Sequence, residues 1–228
     1  MIDLSFQIEN VEAPPHAAAP LLMFKLRVAD ANAQTPIHSV ALRGQVRIDP
    51  AKRRYDANEQ ELLLDLFGEP ARWGQTLRSM LWAHTSVIIP PFVGSTTVDL
   101  PVPCTYDFNI ASAKYFHALE NGEVPLTFLF SGTIFYAGDE DGALQVAQIS
   151  WEKEAIYRLP VRVWKEMMDK YYPNTAWLCL RKDVFEELYR YKTSHALPTW
   201  EKALEKLLDQ GETDESIAGG QGRAGRPV

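Results

Sequence analysis

Five histidines (His16, His38, His84, His117, His195) and two cysteines (Cys104, Cys179) are the side chains here best suited to ligate a metal or start a nucleophilic reaction. Their spacing does not organise them. No two histidines stand four apart, and neither cysteine has a Cys-x-x-Cys or Cys-x-x-His companion, so the order of residues spells neither a zinc site nor a redox pair. Both thiols read as buried and inert. The run Cys104-Thr105-Tyr106-Asp107-Phe108 offers a thiol, a hydroxyl and a carboxylate. A nucleophile needs a base within hydrogen-bond reach, and no base stands at a recognisable position. An enzyme built on Asp107, His117 and Cys104 would require the fold to bring those groups together. Ser131-Gly132-Thr133 lacks the Gly-Lys-Ser/Thr ending of a phosphate loop and reads as a glycine in a strand against which something packs closely. No catalytic residue, metal ligand or cofactor is assigned.

Charge narrows the partners. The chain of 228 residues carries a net charge of −7, the wrong sign for neutralising phosphates, and its one basic run, Lys52-Arg53-Arg54, is expected in a solvated turn. Nucleic acid is not an expected partner. Met1 to Phe6 alternates apolar and polar residues without a basic or apolar leader, and no apolar run approaches the roughly 20 residues of a membrane helix. A cytoplasmic protein without membrane contact is the expectation. Aromatic residues supply the remaining candidates: a ligand pocket near Tyr106, Tyr115, His117 and Trp151, and an interface at Tyr171, Tyr172 and Trp177 beside a proline-containing loop.

The elements that must position these residues follow from periodicity. Ile2, Leu4, Phe6 and Ile8, then Leu22 to Val28, then Val40 to Ile48 alternate with period two, predicting three half-buried strands. The period then becomes helical: Asp56 with Glu59 makes a capping-box start, Leu62, Leu63, Leu66 and Phe67 a stripe, and Gly68 a stop. Pro70 opens a second predicted helix through Trp73, Leu77, Met80 and Leu81. Strands are predicted again over 87–92, 96–102, 106–119, 124–136 and 144–157, with a β-bulge near 111–113 and a hairpin turn at Asn121-Gly122.

Helices follow from Pro160, from a cap at Asp183 and from Pro198; beyond Gln210 the composition predicts disorder. The sum is an α+β, mainly β chain: an antiparallel β-sandwich of about eight strands over 1–159, a helical insertion at about 56–82, a C-terminal helical annex over 160–210 and a disordered tail over 211–228. An open barrel is the alternative architecture.

The strings Ile37-His38-Ser39-Val40-Ala41-Leu42-Arg43, Leu64-Asp65-Leu66-Phe67-Gly68-Glu69-Pro70, Asp99 to Phe108, Lys114 to Leu119 and Leu188-Tyr189-Arg190-Tyr191-Lys192 together resemble an uncharacterised bacterial family, a domain of unknown function found near actinobacterial-type nickel-iron uptake hydrogenase genes. The likeness covers about residues 2 to 209. It implies an accessory or assembly role beside a hydrogenase, with hydrogenase subunits or maturation factors as protein partners, and no catalytic residues to carry over. Two function classes are therefore expected: a non-enzymatic protein acting through protein–protein interaction, or a small-ligand or cofactor-binding module with an aromatic pocket between sheet and helices.

Overall fold

The computed structural model describes residues 2–31, 35–104, 110–138, 142–175, 178 and 180–219, of which 212–219 by backbone alone. Among the described residues eight strands form two antiparallel sheets. β1 (Leu4–Glu12), β2 (Leu21–Asp30) and β5 (Ser95–Pro103) make a three-stranded sheet in the order β1-β2-β5. β4 (Met80–Ile89), β3 (Ile37–Ile48), β6 (Glu123–Ala137) and β7 (Leu144–Gln148) make the second, in that order, and β8 (Glu154–Pro160) also pairs with β6. The period-two residues face inward: Leu22, Phe24, Leu26 and Val28 from β2 and Val40, Leu42, Val46 and Ile48 from β3 are buried. Ring pairs cross between the sheets, Phe6 stacked on Phe130 at 4.6 Å and Phe24 edge-on to Phe128 at 5.1 Å. The expected antiparallel β-sandwich with inserted helices and C-terminal helices is the fold observed.

Several elements differ from the pattern reading, each for a physical reason. The predicted strand 106–119 lies outside the described residues up to Asn109, and beyond it is helix α4 (Ile110–Ala118). In place of the expected β-bulge near 111–113 stands a helical period: Ser112, Tyr115, Phe116 and Leu119, at i, i+3, i+4 and i+7, are buried. Asn121-Gly122 consequently joins a helix to a strand, with Gly122 at φ 75°.

The helical pair is shorter than predicted. α1 (Ala57–Leu62), α2 (Leu64–Phe67), a 3-10 turn at Pro70–Arg72 and α3 (Trp73–Thr76) are followed directly by β4. Met80 and Leu81 pair with Ile48 and Arg47 of β3. Their spacing suited either structure, and ladder pairing decided it. The predicted strand 144–157 is two strands, broken by a turn that carries Trp151.

The chain divides into two compact units, Met1–Ala176 and Trp177–Val228. Helix α5 (Val161–Tyr171) belongs to the first: Trp164 stacks on Phe116 at 4.8 Å, Met167 and Met168 are buried, and the Tyr171 hydroxyl donates to Ala17 O at 2.7 Å. The boundary expected at 159/160 thus falls after α5.

The second unit holds α6 (Lys182–Ser194) and α7 (Trp200–Gly219). Arg181, not Asp183, is the N-cap residue of α6. Its C-terminus closes as a Schellman motif: Ala196 has φ 52°, Leu197 N donates to Lys192 O at 3.0 Å, and Ala196 N donates to Thr193 O at 3.1 Å. α7 continues to Gly219, where the composition had predicted disorder from 211; residues 220–228 lie outside the described residues. No helix among the described residues is long and apolar enough to cross a membrane.

Candidate functional site

In the first unit the approach to α1 and helix α4 with its following turn meet through side-chain hydrogen bonds. Arg53, expected in a solvated turn, is instead buried with 8% of its side chain exposed, and it pairs at 2.5 Å with Glu59, whose side chain is 2% exposed. Asp56 caps α1 as predicted by accepting from Glu59 N at 2.8 Å. The Glu59 carboxylate does not reach back to close a capping box. It accepts from Glu120 N at 3.0 Å, while Arg53 donates to Asn121 O at 2.8 Å and Glu123 O at 3.0 Å.

This ion pair therefore staples the start of α1 to the turn between α4 and β6. Gly122 is required there, because a Cβ would stand 3.0 Å from Arg53 Nη1 on a backbone already at positive φ.

Beside the staple, Tyr115 and Tyr55 share a hydrogen bond of 2.8 Å between their hydroxyls. Tyr55 OH donates to Pro50 O at 2.8 Å, so the shared proton comes from Tyr115. Burial pushes the Tyr55 phenol up to about 12 and the Tyr115 phenol further in the same direction. Both are neutral structural hydroxyls at neutral pH. Phe67, Trp73 and Phe116 close around them with ring centroids 5.2 to 6.2 Å apart.

The four residues expected to line a pocket are thus distributed differently. Tyr106 lies outside the described residues, Tyr115 is fully buried among packed rings, His117 is on the exposed side of α4, and Trp151 is 88% exposed in a turn. Tyr115, His117 and Trp151 thus range from fully buried to almost fully exposed. Of the interface candidates, Tyr171 and Tyr172 are half-buried at the end of α5, and Trp177 lies outside the described residues.

Cys104 is buried, whereas His117 is exposed. The thiol is buried after β5, donates to Val102 O at 3.3 Å and has its pKa pushed up by burial; Asp107 and Cys179 lie outside the described residues. Among the described residues no group of three or more His, Cys, Asp or Glu could hold a metal ion.

The concavity that the pattern reading missed lies on the outer face of the five-stranded sheet. It is an open hollow of about 490 Å³ lined by Arg43, Gly44, Gln45, His84, Thr85, Ser86 and Ser131. β3 contributes Arg43 and Gln45, β4 contributes His84 and Ser86, and β6 contributes Ser131, all outward residues of alternating strands. In the ladders Arg43 stands opposite Ser86 on one side and Ser131 on the other, and Gln45 stands opposite His84. Next to Ser131, Gly132 has φ 149°, and a Cβ there would fall 2.1 Å from Ala41 O. Close approach of β6 to β3 is the reason for that glycine, as its sequence position suggested. No signal in sequence could assemble five residues drawn from three strands into one hollow, because the register that does so is a tertiary property.

No curated protein matches the chain. Solved structures match it weakly: the CARDB domain of the PF1109 protein from Pyrococcus furiosus at 10% identity and TM-score 0.27, covering 70% of this chain and 92% of that one. A β-glucosidase from Kluyveromyces marxianus matches at 11% identity and TM-score 0.24, covering 69% of this chain and 15% of that one. β-Glucosidase 3B from Thermotoga neapolitana matches at 12% and 0.24, covering 69% and 17%. At such values nothing transfers from those proteins. The sequence match is of another order: residues 1–216 fit one family throughout, and the chain belongs to the family of unknown function DUF6084.

Proposed function

We propose that the chain is a non-enzymatic accessory protein that acts by holding a protein partner, and that the partner belongs to the assembly of a nickel-iron hydrogenase. Helix α6 carries the first half of this reading. None of its 13 residues is buried. Yet Phe185 and Tyr189 are 46% and 55% exposed, and they cluster with Trp200 at ring centroids 5.3 to 6.4 Å apart. Leu207 and Leu208 of α7 are exposed as well. Aromatic and aliphatic groups left in water forgo about 1.5–3 kcal/mol each relative to full burial, and they are the side chains that anchor interfaces. The matching occupant is an amphipathic segment of a partner that lays its apolar side on these rings. The resemblance read in the sequence supplies the second half, by naming the class of partner.

The experiment is affinity purification of the tagged chain from its own host, grown so that hydrogenase is expressed, with Phe185→Glu/Tyr189→Glu as the comparison. Recovery of hydrogenase subunits or maturation proteins by the native chain and their loss from the variant is the expected result. A partner-free preparation, or capture unaffected by the two substitutions, overturns the proposal.

A further inference from the structure

We infer that the outer face of the five-stranded sheet carries a carboxylate-binding site centred on Arg43. The site lies wholly within the Met1–Ala176 unit. It is independent of the helical unit's partner, so the two readings can fail separately.

The contrast with the other sheet is the starting point. On the outer face of the three-stranded sheet the cations are neutralised: Lys25 pairs with Glu12 at 2.9 Å and Asp99 at 2.7 Å, and Arg27 lies 3.7 Å from Glu9. Arg43 has no such partner. Its cross-strand neighbours are Ser86 and Ser131, and the diagonal positions hold His84, Ile88, Leu129 and Thr133, none of them a carboxylate. Among the described residues no ion pair or hydrogen bond engages its side chain. In a chain of net charge −7 an arginine at the centre of a sheet is thus left without a carboxylate partner among the described residues.

The surroundings match what a carboxylate takes. Arginine presents parallel N–H donors that fit two carboxylate oxygens, and hydroxyls on both flanks can donate to the remaining lone pairs. Gln45 and His84, one rung along, add polar groups able to hold the rest of a ligand. The short serines beside a long arginine leave an open hollow of about 490 Å³ on the sheet face. The ligand is either a free small organic acid or the acidic side chain or C-terminus of a peptide; the recognition chemistry is shared.

The test is a titration of the ¹⁵N-labelled full chain, followed by NMR, with succinate, with a short Asp/Glu-rich peptide and with inorganic phosphate, in the native protein and in Arg43→Gln and Arg43→Lys. Saturable shifts at Arg43, Gln45, His84, Ser86 and Ser131 are expected with succinate, with the peptide or with both, and their relative affinity identifies the source. Arg43→Gln should weaken binding at least about tenfold, and Arg43→Lys should be intermediate, because lysine keeps the charge but not the fork. The Arg43 side chain is exposed, so an otherwise unchanged spectrum verifies that each variant is folded. Saturation with neither succinate nor the peptide, binding of phosphate alone, or equal affinity in Arg43→Gln overturns the site.

Discussion

Replacing Glu59 by leucine removes the counter-charge from a guanidinium that has only 8% of its side chain exposed. Breaking a buried pair by deleting one partner costs about 3–5 kcal/mol, mostly because the surviving charge stays buried. Two features place this case near the lower end. Arg53 keeps its bonds to Asn121 O and Glu123 O, and Glu120, whose N–H loses its acceptor, is exposed enough for water to replace it. A loss of about 3 kcal/mol lowers Tm by roughly 6–12 °C in a chain of this size, at about 2–4 °C per kcal/mol.

The assay is urea unfolding followed by tryptophan fluorescence, with Trp73 5.2 Å from the Tyr55 ring as a local reporter, and calorimetry in parallel. Arg53→Met/Glu59→Leu is the decisive second arm. An apolar pair of similar volume carries no desolvation cost, so the double variant should regain most of the lost stability. A single substitution costing under about 1 kcal/mol, or a double variant as unstable as the sum of the two singles, would refute the view of this pair as a buried, mutually dependent staple.

Three further outcomes follow from the same structure. Gly132→Ala should destabilise by about 3 kcal/mol or more in thermal melts, since its Cβ would stand 2.1 Å from Ala41 O on a backbone at φ 149°. Gly74→Ala in α3, where a Cβ meets nothing within 4 Å, should instead gain up to about 1 kcal/mol. Stability should fall between pH 10 and 12, because the Tyr55 and Tyr115 phenols have raised pKa values in the fold. The unfolded state releases their protons from about pH 10 while the folded state retains them, so the slope is negative there, and the Tyr55 share ends as pH passes about 12. Tyr55 is half-buried, so after solvent screening its share is on the order of 1–2 kcal/mol. Urea unfolding across this range should show a smaller fall in Tyr55→Phe, and an equal fall would refute the assignment to Tyr55.

What the sequence determined by itself was whatever depends on residues close along the chain. Alternation in β1, β2 and β3 survives because one face of each strand is buried, and Asp56 and Gly68 bound the α1–α2 segment through their own backbone neighbours. Gly132 was legible as a close approach, though not as an approach to Ala41. The failures share a cause. Over 110–119 the aromatic pattern fits a bulged strand and a short helix alike, and stacking of Phe116 on Trp164 and of Tyr115 against Phe67 favours the helix.

Arg53 looked like one of three solvated cations, and it is buried because carbonyls 68 and 70 residues away surround it together with Glu59. Arg43 was unremarkable in its string, yet the lack of a carboxylate among its cross-strand neighbours comes from the registers β3 shares with β4 and β6. Burial, counter-charge and cross-strand company are sums over residues distant in sequence, so only the tertiary structure decides them.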